Sequence, residues 1–263
     1  MRIFRFLSVL CVLFLISFGI SGGATLWQKW SSTLPASTSA VLPADTAASV
    51  NEAAGAWDRI WRIIALKSAV EGKLDRRNYV KIKDIPLTLQ QAVIATEDHR
   101  FYNHVGFDFE GILRATLVNV QAGGYAEGAS TITQQLIKNL FLSQDKTITR
   151  KAEEFVLAVD MELRYSKEEI LEMYLNSIYF GSGAYGIGPA AKIYFGKPPA
   201  NLNLPEAALL AGIPNAPSLN SPYVNFQAAK QRQAIVLGAM VKYNYLGPQA
   251  AEEARLTPVW LAN

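Results

Sequence analysis

The sequence predicts a mostly α-helical domain held outside a membrane by one N-terminal transmembrane helix. Three observations carry this. Apolar residues recur at helical spacing in segment after segment between residues 87 and 242. No stretch sustains the two-residue alternation of a half-buried strand. A run of 23 uncharged residues separates Arg5 from Lys29; as a helix it is about 34 Å long at roughly 1.5 Å per residue, enough to cross a bilayer. Arg2 and Arg5 precede the run, which places the tip in the cytoplasm and the rest of the chain outside. Gly22-Gly23-Ala24 would also suit a signal peptidase, so a cleaved signal peptide is the alternative to an anchor.

Composition narrows the function classes. Half of the 263 residues are hydrophobic and 18% are charged, which supplies a packed core and excludes disorder throughout. Lys and Arg number 25 against 22 Asp and Glu, a net charge of +3. So slight and even a bias gives no nucleic-acid partner. A single cysteine, Cys11, excludes an internal disulfide and a cysteine-based zinc site.

The elements follow in order. Residues 1–28 are the tip and anchor, and 29–55 are a Ser/Thr/Ala/Pro-rich stalk. Residues 56–74 form an amphipathic helix with Trp57, Ile60, Trp61 and Ile64 on one face. That face fits the bilayer interface, with tryptophans at headgroup level, and equally fits packing on the domain behind it. The domain occupies 75–250, and 251–263 form a C-terminal tail. Within it, Thr88 and Gln91 have capping-box spacing at the start of a helix. Asp108 is placed to cap a helix bearing Ile112, Leu113, Thr116, Leu117 and Val120, stopped by Gly123-Gly124. Further helices are predicted over Thr131 to Leu140, Thr149 to Tyr165, Lys167 to Ile178 (capped by Ser166 with Glu169), Leu204 to Gly212, and Asn225 to Lys242.

Three clusters break these apolar patterns. Glu97-Asp98-His99-Arg100-Phe101-Tyr102-Asn103-His104 packs five ionisable groups into eight residues, which suits a cleft wall better than a core. Its Glu97, His99 and His104 match no familiar metal-ligand spacing. Gly128-Ala129-Ser130-Thr131 leads into a helix start, an arrangement that serves anion binding or an ordinary N-cap, with Lys138 one to two turns further on. In the Thr149 to Tyr165 helix, Ala152, Phe155, Val156, Val159 and Leu163 form one apolar face. Leu157 and Met161 form a second, which Arg150 and Glu154 continue; that pair reads either as a structural bridge or as a functional site.

Taken in order, these strings resemble a known family. Glu97-Asp98-x-x-Phe101-x-x-His104-x-Gly106, Gly128-Ala129-Ser130-Thr131-Ile132-Thr133-Gln134-Gln135 with Lys138-Asn139, Arg150-Lys151-x-x-Glu154 and Lys167-x-x-Ile170-Leu171-Glu172-x-Tyr174-Leu175-Asn176 resemble the successive motifs of the peptidoglycan glycosyltransferases, over about residues 75 to 245. The resemblance implies a lysozyme-like fold with a membrane-facing hydrophobic subdomain, in a bacterial cytoplasmic membrane. It implies polymerisation of lipid II with inversion at the anomeric carbon. By match of motifs, Glu97 would be the base and Glu154 the second essential glutamate, acting directly or through a divalent cation, Mg2+ or Mn2+. Asp98, Ser130, Thr131, Gln134, Gln135, Lys138, Asn139, Lys146 and Arg150 would bind substrate, and His104 would be a structural hydrogen-bonder. The implied partners are lipid II, the growing glycan strand, the membrane and penicillin-binding transpeptidases.

Bifunctional relatives carry a transpeptidase domain after this one. Ser143-Gln144-Asp145-Lys146 does form a Ser-x-x-Lys string, but inside the glycosyltransferase block and with no Lys-Thr-Gly after it, so a monofunctional enzyme is expected. Two other classes compete. A lysozyme-like hydrolase or lytic transglycosylase needs one glutamate but neither anchor nor cation set. A tethered non-catalytic scaffold needs neither two glutamates nor the cations.

Overall fold

The computed structural model describes residues 65–124, 128–142 and 147–262. The anchor, the stalk, the tryptophan face at 57–64 and Lys146 lie outside the described residues. Eleven α-helices are described: α1 Leu66–Lys73, α2 Leu87–Glu97, α3 Phe109–Gln121, α4 Ile132–Phe141, α5 Ile148–Arg164, α6 Lys167–Ser177, α7 Ile187–Phe195, α8 Leu204–Gly212, α9 Pro217–Asn220, α10 Phe226–Lys242 and α11 Pro248–Leu256. Among the described residues the only extended pairing is an isolated Tyr179–Tyr185 bridge. The domain is mostly α, as the periodicity predicts. No described helix is long and apolar enough to cross a membrane.

The chain divides into two units. One is Ala65–Gln144 with Glu154–Asn263; of the other, Met1–Ile64 with Asp145–Glu153, the structure describes residues 147–153. The core of the first unit forms around α8. Every residue from Pro205 to Gly212 is buried, the pattern of a helix apolar on all sides. It packs against α2 and α10, which also pack against each other, while α4 packs against α6. Gln233, wholly buried on α10, donates from Nε2 to the Pro205 carbonyl (2.6 Å) and ties α10 to the start of α8.

Three helices begin in full capping boxes: Thr131 with Gln134 on α4, Ser166 with Glu169 on α6, and Asn203 with Glu206 on α8. Each supplies partners for N–H groups that a helix start otherwise leaves unpaired. The Thr88–Gln91 box does not form, because Thr88 already lies inside α2, which starts after Pro86 without a side-chain cap. Asp108 does precede α3, but its side chain does not cap. Its carboxylate faces Arg100 instead, at 3.1 Å from Nε.

Three segments are placed by the packing. The apolar residues of α3 do not face a core: Phe109, Ile112, Leu113, Leu117 and Val120 are exposed, and only Gly111 and Ala115 are buried. On α5 the buried residues are Glu154, Leu157, Ala158, Val159 and Met161; of the other face Val159 is covered, while Leu163 is 62% exposed. Residues 251–262 are not a loose tail. Helix α11 packs on α10 with Ala251 and Ala254 buried, and the Ala262 N–H donates to the Tyr194 carbonyl. At the other end, Leu66 and Val70 of α1 are buried, so the described part of the 56–74 segment packs on the domain.

Gly106 permits a close approach that the site depends on. Its φ is +88°, and a Cβ there would sit 2.7 Å from the Ala158 carbonyl oxygen, while its own carbonyl accepts from Thr131 Oγ1 at 2.8 Å. Gly106→Ala is therefore expected to destabilise the fold by about 2 kcal/mol or more, adding backbone strain to the clash. Thermal or denaturant melts of the two proteins check this.

Candidate active site

Helix α2 ends in the first cluster. Glu97 is its last residue and Asp98 its C-cap, so the chain turns away and leaves both carboxylates at the mouth of a cavity of about 590 Å³. The cavity is lined from four sides: by the end of α2 and the loop after it, by Arg114 of α3, by Gly128 to Thr131 with Gln135 and Lys138 of α4, and by Arg232 and Lys242 of α10.

Glu97 is the poised group. Its Oε2 accepts from Gln135 Nε2 at 2.9 Å, while Oε1 is withdrawn from solvent and has no hydrogen-bond partner. Burial raises its pKa above the usual glutamate range, against the Gln135 hydrogen bond and the charges of Arg232 and Lys138; the Asp98 charge adds to the rise. A carboxylate held in this way is a stronger base than one in water, which is what general-base chemistry requires.

Asp98 is placed differently. It is buried, its Oδ2 accepts from the Ile132 N–H at 3.0 Å, and both its oxygens lie within 3.1 Å of His104 Nε2. An ionised carboxylate can only accept, so His104 carries its proton on Nε2. Asp98 thus fastens the start of α4 and His104 to the end of α2, and lines the cavity from that fixed position.

The start of α4 is an ordinary N-cap and not an open anion cradle. The Thr131 N–H donates to Gln134 Oε1, the Gln134 N–H to Thr131 Oγ1, and the Ile132 N–H to Asp98. Side chains of the protein have already taken those donors. What remains for an anion is cationic: Arg114, Lys138, Arg232 and Lys242 all line the cavity.

Of the residues singled out in the sequence, the cavity brings together Glu97, Asp98, Ser130, Thr131, Gln135 and Lys138. Gln134 is buried in the α4 cap and is not among the lining residues. Asn139 is exposed on α4 and Glu154 is buried on α5; neither lines the cavity. Arg150 belongs to the other unit, where its N–H donates to Thr147 Oγ1. Among the described residues no three His, Cys, Asp or Glu side chains gather as ligands, and in the cavity Asp98 and Asp108 are committed to neighbours. This donor set does not fit a metal held by the protein.

Sequence reasoning missed Arg114, Arg232, Lys242, Tyr243 and Asn215, which also line the cavity, as does His99 of the first cluster. Arg232 carried a signal: it is a charge bordering the buried stripe Ala229, Gln233, Val236, Met240 of α10. Its Nε is withdrawn from solvent without a partner. Gly212 of α8 lets its stem pass, since a Cβ there would meet Arg232 Cγ at 2.8 Å. His99 stacks on Tyr243 at 4.1 Å between ring centroids, and its Nε2 faces Arg114 Nη1 at 3.3 Å. Burial, then the Arg114 charge, pushes the His99 pKa down. His99 is therefore a neutral acceptor that orients a guanidinium.

A helical domain with one buried base in a cation-lined cavity has the parts for acid–base chemistry beside negative charge. Comparison with known proteins makes the class definite. Residues 65–241 match the transglycosylase family model, and the chain belongs to that family. It is 46% identical over 186 residues to penicillin-binding protein 1A of Aquifex aeolicus, covering 71% of this chain and 26% of that protein. It is 49% identical over 179 residues to the Neisseria flavescens protein of the same name, covering 68% and 22%. The chain thus spans about a quarter of the length of these relatives, the transglycosylase portion. The crystal structure of penicillin-binding protein 1A from Haemophilus influenzae aligns with 72% of this chain and 18% of its own, at 26% identity and a TM-score of 0.44. By family membership the domain is a transglycosylase domain.

Proposed function

We propose that this domain polymerises lipid II, on a lysozyme-like fold, by inverting glycosyl transfer. The 4-hydroxyl of a GlcNAc attacks C1 of a MurNAc, the C1–O bond to undecaprenyl pyrophosphate breaks, and the hydroxyl proton passes to Glu97. The observation that carries this reading is one base with a raised pKa in a cavity lined by four cations. A hydroxyl needs a base as it attacks, and a departing pyrophosphate needs positive charge fixed in advance. Lys138 and Arg114 are assigned to the pyrophosphate, and Arg232 to keeping Glu97 anionic. Glu154, Arg150, Lys146 and Asn139 are carried by resemblance: Glu154 assists the leaving group, and the others bind substrate. Mg2+ or Mn2+ enters only as a companion of the substrate pyrophosphate. The growing strand and penicillin-binding transpeptidases are the proposed partners.

A lysozyme-like hydrolase is the competing reading. Incubation of the purified protein with labelled lipid II and Mg2+ separates the two. Conversion to a polymer that lysozyme digests supports the synthase, and shortening of preformed strands with no new polymer supports the hydrolase.

The location is proposed as the outer face of a bacterial cytoplasmic membrane, with 1–28 as a single-pass anchor. The exposed apolar face of α3 (Phe109, Ile112, Leu113, Leu117, Val120) is the kind of patch that lies against lipid. Leu113→Glu with Leu117→Glu is expected to lower turnover of bilayer-embedded lipid II about 10-fold or more, through lost apolar burial. Activity on a short-chain, water-soluble analogue should not change. An equal loss on both substrates would show that α3 does not engage the bilayer.

A further inference from the structure

Glu97 is the end of a hydrogen-bond chain that starts on another helix. Tyr174 of α6 is fully buried, and its hydroxyl donates to Gln135 Oε1 at 3.1 Å. The other half of the same amide, Nε2, donates to Glu97 Oε2 at 2.9 Å. An amide can turn over: with Nε2 toward Tyr174, Oε1 would face Glu97 and accept from its protonated form. We propose that Tyr174 is a positioning residue for the base, its buried hydroxyl locking the Gln135 amide in the orientation that donates to Glu97.

The Tyr174 hydroxyl has one partner in the structure, Gln135 Oε1. If the amide turned over, the hydroxyl would face N–H donors and its own proton would be buried unpaired, a costly state. Burial, then the charges of Glu97 and Asp98, hold the phenol protonated well above its usual range, so it is always a donor. The lock therefore favours the charged form of Glu97, whose Oε1 has no hydrogen-bond partner in the structure. Other groups act on Glu97 directly. Asp98 opposes its charge, while Lys138 of α4 and Arg232 of α10 support it. Helix α8, also packed on α2, carries Glu206, which is paired with Lys197. Arg114, Lys242 and His99 share the cavity. None of them fixes the amide. That task falls to Tyr174, whose place on α6 is set by a helix face that is otherwise apolar, with Ile170, Leu171 and Met173 buried beside it.

The inference rests on the reading of Glu97 as the base, and its test is arranged to stand apart from that reading. The Glu97 carboxyl is titrated in the full-length protein by carbon-13 NMR of labelled glutamate, its signal identified by its loss in Glu97→Gln. Tyr174→Phe, which removes one oxygen, is expected to move the midpoint up by about 0.5–1 pH unit, the worth of one such hydrogen bond. In a Gln135→Leu background the same substitution should add nothing. An unchanged midpoint in Tyr174→Phe, or a shift that persists without Gln135, would overturn the lock. If Tyr174→Phe does not fold, 3,5-difluorotyrosine at 174 is a stronger donor and must move the midpoint down; no movement overturns the proposal equally. In turnover, Tyr174→Phe should lower kcat and shift its acidic limb upward with KM unchanged, which a loss of packing alone would not do. If the titrations follow this pattern while lipid II is not polymerised, it is the functional reading that fails, and the lock stands.

Discussion

Glu97→Gln is expected to abolish polymerisation, with a loss of at least about 10²–10⁴ in kcat, and to leave the protein as stable as before or more so at neutral pH. Both halves follow from one geometry. The side chain keeps its place against Gln135, so the fold has no reason to change, while the group that takes the proton is gone. Burial raises the Glu97 pKa in the folded state, so its contribution to stability is complete at low pH and is lost as pH rises through that raised value. Replacing it with an amide removes the cost of holding a desolvated charge at pH 7. The same pKa governs the wild type: kcat/KM should fall as pH drops through a midpoint above the ordinary glutamate range. Turnover, a pH profile and a thermal melt on the two proteins test all of this. Unchanged turnover in Glu97→Gln would remove Glu97 from the role of base.

Lys138→Met is the second large effect. Lys138 lines the cavity from α4, and its charge is among those that support an anionic Glu97. It is also placed to meet negative charge as a pyrophosphate leaves. Loss of a fixed cation at such a point costs about 10²–10³ in kcat. Because the cation also supports the base, the acidic limb of the profile should move upward as well. A rise in KM alone, with kcat and the limb unmoved, would make Lys138 a ground-state binder only.

The sequence was informative where local chemistry decides the outcome. Ser166 with Glu169 announced the start of α6, and the run from Leu204 to Gly212 announced α8 with its bounds. It misled where the outcome depends on what lies opposite. Ile112, Leu113, Leu117 and Val120 have the spacing of a core face, and no periodicity can say that nothing in the described domain covers it. Thr88 and Gln91 have the spacing of a box, but the helix begins two residues earlier than that box requires, at Leu87. The site divides in the same way. Glu97, Asp98, Gln135 and Lys138 were found because they sit in contiguous strings. Gln134 lies in one of those strings and is spent on the α4 cap. Arg114, Arg232 and Lys242 arrive from distant helices, and only the packing of α10 against α2 and α8 brings Arg232 to Glu97. Its one local mark was a charge bordering a buried stripe, a weaker mark than that of Arg150 and Glu154, which continue one.

The central claim is that a buried base and a set of fixed cations transfer a sugar from pyrophosphate to a hydroxyl. The most direct measurement is the stoichiometry of undecaprenyl pyrophosphate released per disaccharide joined, by purified protein acting on lipid II with Mg2+ or Mn2+. The account predicts one pyrophosphate carrier released for each new linkage in the wild type, and neither product with Glu97→Gln. Release of the carrier without new linkages, or linkages formed at an undiminished rate by Glu97→Gln, would contradict it.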